Sequence, residues 1–90
     1  MLRNNYKEPK FIDREFYTNE DGYIMQFEDY GAGLWLYRYY FGIDNYGFHS
    51  NYTSDESYWR ESTLEEKQLL IDRVEKETDK KFNLVTKIFE

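Results

Sequence analysis

The chain has no cysteine, a single histidine and no long apolar run. Without cysteine there can be no disulfide framework and no Cys-ligated zinc or iron–sulfur site, and a reducing compartment is expected. The uncharged runs, residues 30–37 and 45–54, fall far short of the ~20 apolar residues a membrane helix needs. Residues 1–10 are too polar for a signal peptide, so the expected location is cytoplasmic. Basic charge is also scarce, with twelve Lys and Arg against eighteen Asp and Glu and a formal charge of −6. Nucleic acid and anionic membranes are polyanions held mainly by Lys and Arg, and are therefore not expected as direct partners.

What the chain does have is aromatic mass: ten Tyr, seven Phe and two Trp in ninety residues. A domain this small buries only about 60–65% of the surface of its unfolded chain, so it needs large apolar groups. One domain, 1–90, is expected, with an N-terminal arm at 1–10. Charge is uneven along it: residues 1–10 sum to +2, residues 11–58 to −7 and residues 59–90 to −1. The acidic middle is also the aromatic part, in runs broken by Gly, Asn and Asp as short strands and turns are.

This pattern predicts a four-stranded antiparallel meander over 11–52, from segments 11–18, 23–30, 34–41 and 48–52. Asn19-Glu20-Asp21-Gly22 reads as a four-residue hairpin connection, with Gly22 able to take the left-handed conformation. That loop would pair Thr18 with Tyr23, Phe16 with Met25 and Arg14 with Phe27. Tyr17, Glu15 and Asp13 would then share the other face with Ile24, Gln26 and Glu28. Gly31-Ala32-Gly33 would set Tyr37 beside Phe27, Tyr39 beside Met25 and Phe41 beside Tyr23. One face becomes aromatic, while the other carries Asp13, Glu15, Gln26 and Glu28 with Leu34, Leu36, Arg38 and Tyr40. A slip of one residue would exchange the faces.

Thr63 and Glu66, or Ser62 and Glu65 one residue earlier, have the spacing of a capping box, in which hydroxyl and carboxylate each accept an N–H that the helix leaves unpaired. Leu70, Ile71, Val74 and Thr78 then follow a helical stripe, so an amphipathic helix is expected over 62–78, lying on the sheet. Asp79-Lys80-Lys81 reads as its exit and 82–89 as a short terminal strand. The fold class is α+β.

The blocks Thr63-Leu64-Glu65-Glu66-Lys67-Gln68-Leu69-Leu70 and Phe82-Asn83-Leu84-Val85-Thr86-Lys87 resemble the tail of small uncharacterised proteins from Bacteroidetes genomes and their phages or mobile elements. The resemblance covers about the last third of the chain and implies that setting without implying an activity.

Catalytic constellations are sparse. His49 would be the only base of a Ser–His–Asp triad, and Ser50 and Ser57 lack a nucleophile turn. Glu20-Asp21, Glu28-Asp29 and Asp55-Glu56 are adjacent carboxylates, which a strand points to opposite faces rather than holding at a glycosidase separation. Gly31-Ala32-Gly33 lacks the third glycine of a dinucleotide loop, and Asn51-Tyr52-Thr53 matches the glycosylation pattern without a leader. Aromatic platforms for single-stranded nucleic acid need a basic groove, and residues 11–58 offer only Arg14 and Arg38. No enzyme, cofactor or metal site is expected.

The expected function is therefore a non-catalytic, acidic protein-binding module. It would be an anti-defence inhibitor from a phage or mobile element that blocks a basic, nucleic-acid-handling host protein by mimicking nucleic-acid charge. Asp13, Glu15, Tyr17, Glu28, Leu36 and Tyr40 would form its contact face. The reading from another class is a structural or assembly subunit acting through homo- or hetero-oligomerisation, by an exposed strand edge or the uncovered sheet face.

Overall fold

The computed structural model describes residues 11–54 and 58–90. The expected arm at 1–10 and the Asp55-Glu56 pair lie outside the described residues. The chain forms β1 (Glu15–Asn19), β2 (Ile24–Gly31), β3 (Leu34–Tyr37), β4 (Tyr40–Phe41), β5 (Tyr46–Gly47), β6 (Asn51–Thr53), β7 (Trp59–Glu61), α1 (Leu64–Glu77), β8 (Phe82–Asn83) and β9 (Ile88–Phe89). It is an α+β fold in which β7, β1 and β2 lie side by side, and β2 pairs with both β3 and β4. These in turn pair with β6 and β5, and every pairing is antiparallel.

Asn19 closes the first hairpin. Its N–H donates to the Tyr23 carbonyl at 3.0 Å, and its Oδ1 accepts from the N–H groups of Asp21 and Tyr23 at 3.0 and 2.9 Å. The loop is therefore the three residues Glu20, Asp21 and Gly22. Gly22 donates to the Asn19 carbonyl at 3.0 Å and has φ +84°, the left-handed position that ends such a three-residue loop. The shorter loop moves the register by one residue from the expected one: Thr18 pairs with Ile24, Tyr17 with Met25 and Phe16 with Gln26.

This register puts apolar groups on both sides of the sheet. Phe16 and Ile24 meet Leu70, Ile71 and Val74 of α1, with Tyr39, Phe41, Phe48, Phe82 and Phe89 around them. On the reverse side Phe11, Tyr17, Phe27 and Trp35 form a second core, packed by Met25, Tyr37 and Trp59. Phe11 stacks on Phe27 with centroids 4.3 Å apart, and Trp59 stands edge-on to Phe27 at 5.0 Å. Full burial of each such side chain contributes about 1.5–3 kcal/mol.

The third strand of the meander breaks at Arg38 and Tyr39. Before the break the pairing is the expected one, with Glu28 opposite Leu36, and the rings of Phe27 and Tyr37 are 5.9 Å apart. After it the register shifts by one, so that Ile24 faces Phe41 and Met25 faces Tyr40. The expected strand at 48–52 appears instead as β5 and β6, on either side of residues 48–50. Strand β7 has no counterpart in the expected meander and fills the free edge of β1, pairing Asn19 with Trp59 and Tyr17 with Glu61.

Thr63 and Glu66 form the anticipated capping box, with Glu66 N–H on Thr63 Oγ1 at 3.1 Å and Thr63 N–H on Glu66 Oε1 at 2.9 Å. The same carboxylate receives both Arg60 guanidinium nitrogens at 2.8 Å and the Thr18 hydroxyl at 3.2 Å. It thus ties β7, β1 and α1 together. Arg60 first, then the Thr63 N–H, hold the Glu66 carboxyl down at about 2. Among the described residues no helix is long and apolar enough to cross a membrane.

Residues 82–89 form a hairpin rather than a single strand, because Asn83 caps a turn. Its Oδ1 accepts from Val85 and Thr86, and its carbonyl accepts from Lys87. The hairpin is fastened at both ends: Glu75 accepts the Phe82 N–H at 2.9 Å, and the buried Gln26 amide donates to the carbonyls of Arg14 and Lys87 at 2.9 and 2.6 Å.

Val74 is fully buried beneath the sheet and Lys76 is exposed. Val74→Asp should cost on the order of 3–5 kcal/mol by burying an unpartnered carboxylate, while Lys76→Ala should leave the melting temperature almost unchanged. Chemical denaturation of the two variants checks the helix phase. A second prediction follows from Glu66. A carboxyl whose pKa is lowered by folding stabilises the fold above its unfolded pKa near 4.3, and that stabilisation is lost as pH falls toward 2. Glu66→Gln should therefore melt lower than wild type at pH 7, and the two melting temperatures should converge between about pH 4.5 and 2.

Candidate protein-binding surface

The six residues expected to form a contact face are dispersed by the fold. Tyr17 is buried, and its hydroxyl accepts the Ile12 N–H at 2.8 Å. Leu36 is buried as well. Tyr40 lies on the reverse side from α1, edge-on to Tyr23 at 5.8 Å and to His49 at 5.6 Å. With Tyr23, Met25 and Tyr37 it lines an apolar hollow of about 210 Å³.

The three acids of that set are already engaged. Asp13 accepts the Asp29 N–H at 2.8 Å. Glu28 holds Arg38 at 2.9 Å. Glu15 pairs with Lys67 at 3.8 Å and with Lys87. Glu15 reaches these bases because β1 bulges: Arg14, at φ +68°, donates its N–H to the Phe27 carbonyl at 2.7 Å although Glu15 is the residue paired with Phe27. Such a bulge re-aims the side chains next to it. An internally neutralised carboxylate is a poor stand-in for phosphate.

Two of the carboxylates open to a partner are at the end of the β1–β2 hairpin. Glu20 and Asp21 are exposed and make no ion pair and no side-chain hydrogen bond among the described residues. They border a cavity of about 300 Å³ whose other walls are Asn19, Tyr58 and Trp59. A second cavity, about 230 Å³, shares Asn19, Glu20, Tyr58 and Trp59 and extends to Thr18 and Arg60. Neither wall is loose. Asn19 pins the loop as described above, and Trp59 is anchored by its edge contact with Phe27 and pairs through β7 with Asn19. Arg60 gives its charge to Glu66 and does not neutralise the loop. The cleft therefore combines two unpaired carboxylates with two aromatic side chains, the combination that attracts an ammonium or guanidinium group.

Glu20 and Asp21 lie in the hairpin connection, as the sequence pattern expects, and there the strand alternation that separates adjacent acids does not hold. Trp59 was missed as a partner because nothing local marks β7 as the neighbour of β1.

A second exposed feature lies on the α1 side of the sheet, beyond the helix, whose packing is against β1, β2 and β4. Tyr30 and Tyr52 touch there beside the Glu28–Arg38 pair, and hydrogen bonding to Tyr30 pushes the Tyr52 hydroxyl above the usual tyrosine range. His49 is exposed, and among the described residues no three His, Asp or Glu side chains are grouped to hold a metal.

Comparison of the chain with protein-family models, with curated proteins and with solved structures finds no match. The functional reading rests on the geometry of these surfaces.

Proposed function

We propose that the protein is a non-catalytic binding module that docks on a basic protein through the cleft between the Glu20-Asp21 loop and Tyr58-Trp59. The supporting observation is the pair of unengaged carboxylates against an aromatic wall on a braced hairpin. A Lys or Arg side chain of the partner enters the cleft, its charge met by Glu20 and Asp21 and its face or stem by Tyr58 and Trp59. The net charge of −6 steers the encounter. In the phage or mobile-element setting that the C-terminal resemblance implies, the partner is a nucleic-acid-handling host protein, inhibited by occupation of its basic site in the host cytoplasm.

The assembly reading has its own support in β6 and β7, each of which pairs on one side only among the described residues. An open strand edge can extend a sheet into a second copy. Sedimentation separates the two: a monomer at micromolar concentration favours docking on a foreign protein, and a stable dimer favours assembly.

Glu20→Lys with Asp21→Lys tests the docking reading, because both side chains are exposed and the core should be untouched. A basic host protein retained from lysate by the wild type should be lost to the double variant, with at least a tenfold fall in affinity. Wild-type association should slow as salt rises above about 0.15 M, where the Debye length is ~8 Å. The wild type should displace nucleic acid from that partner. Equal affinity of the two proteins for the partner would contradict the assignment of the cleft.

A further inference from the structure

Tyr30 and Tyr52 come from strands that are not neighbours, since β3 runs between β2 and β6. A bulge brings them together. Glu28 pairs with Leu36, Asp29 with Trp35 and Gly31 with Leu34, which leaves Tyr30 as the extra residue. Asp29 Oδ1 accepts the Gly31 N–H at 2.9 Å and holds the irregularity in place. Tyr52 sits opposite Leu36 in the edge strand. The two rings meet with centroids 4.8 Å apart and planes inclined by 58°.

Both phenols are open to solvent, at 59% and 47% exposure. Among the described residues the other tyrosine pair in ring contact, Tyr23 with Tyr40, is wider at 5.8 Å and half-buried on both sides. Tyr46 instead carries Arg73 over its ring at 4.5 Å. The Tyr30–Tyr52 pair thus combines contact with access for an outside oxidant.

We propose that Tyr30 and Tyr52 are an oxidative cross-linking site, joined as dityrosine when the protein meets a haem peroxidase with hydrogen peroxide. Each phenol gives one electron to the peroxidase and one proton to solvent, leaving two phenoxyl radicals. The radicals form one carbon–carbon bond between ring positions ortho to the hydroxyls. The hydrogen left on each coupled carbon then shifts to oxygen and restores the phenol. The two electrons and two protons released convert one peroxide to two waters. Radicals on separate molecules must first meet, whereas these are held in contact, so coupling within the chain outruns coupling between chains. The bond fastens edge strand β6 to β2 across β3 and closes the loop from 30 to 52, which restricts the unfolded chain as a disulfide does.

The test treats the full chain at low micromolar concentration with a haem peroxidase and limiting peroxide. The wild type should gain dityrosine fluorescence, lose two hydrogens from its intact mass, stay monomeric on a denaturing gel and melt at a higher temperature. Digestion should yield one linked peptide containing Tyr30 and Tyr52. Tyr30→Phe and Tyr52→Phe keep the ring packing, and each should reduce the monomer's fluorescence yield at least tenfold, whereas Tyr58→Phe should not. An undiminished yield in either of the first two variants, absence of dityrosine from the wild-type monomer, or covalent dimers as its main product would overturn the proposal.

Discussion

The structure depends on the register of one hairpin. Gly22 in the left-handed region and Asn19 bridging two backbone N–H groups make the β1–β2 loop three residues long. That length decides which side of the sheet every residue of β1 and β2 occupies. Phe16 and Ile24 go toward α1, and Tyr17 and Phe27 go to the reverse side, where Phe11, Trp35 and Trp59 close over them. The small domain stays folded by filling both faces of its sheet, one with a helix and one with its own aromatic residues.

The parts that were legible in the sequence are those whose causes are local. Thr63 and Glu66 are three residues apart, and the stripe of Leu70, Ile71 and Val74 repeats with the helix, so cap and buried face could be read directly. The tight turn at Ala32 and Gly33, both at positive φ, carried the register from β2 into β3 as expected. What was not legible depends on distant partners or on one-residue differences in loop length. Loops of three and four residues can both end in Gly22, and only the packing of both faces decides between them. Strand β7 is specified by Trp59 reaching Phe27 and by the Thr18–Ser62 contact, neither of which is visible within a short window.

The same distinction explains the candidate site. Glu15 lies seventy-two positions from Lys87, so its neutralisation cannot be read from neighbouring residues. Across the fold, the acids of the sheet and helix are largely engaged: Glu66 by Arg60, Glu77 by Arg73, Glu75 by a backbone N–H, Asp72 by Gln68. Negative charge stays open to a partner at Asp44, Glu61, Glu65, Asp79, Glu20 and Asp21, and at the last two it coincides with aromatic walls and a braced backbone. Neutralising the sheet acids internally also lowers the repulsion that a strongly acidic small domain would otherwise suffer.

The central claim is the register, because burial of Tyr17, the second core and the position of the cleft all follow from it. In antiparallel strands the α-protons of a non-hydrogen-bonded pair are in close contact, with Cα atoms about 4.5 Å apart. Since Asn19 and Tyr23 are a hydrogen-bonded pair, Phe16 with Gln26 and Thr18 with Ile24 are the non-hydrogen-bonded ones. Nuclear Overhauser spectroscopy should show strong cross-peaks between the α-protons of Phe16 and Gln26 and between those of Thr18 and Ile24. Strong cross-peaks between the α-protons of Phe16 and Met25, or of Tyr17 and Ile24, would instead establish the four-residue loop and contradict the account.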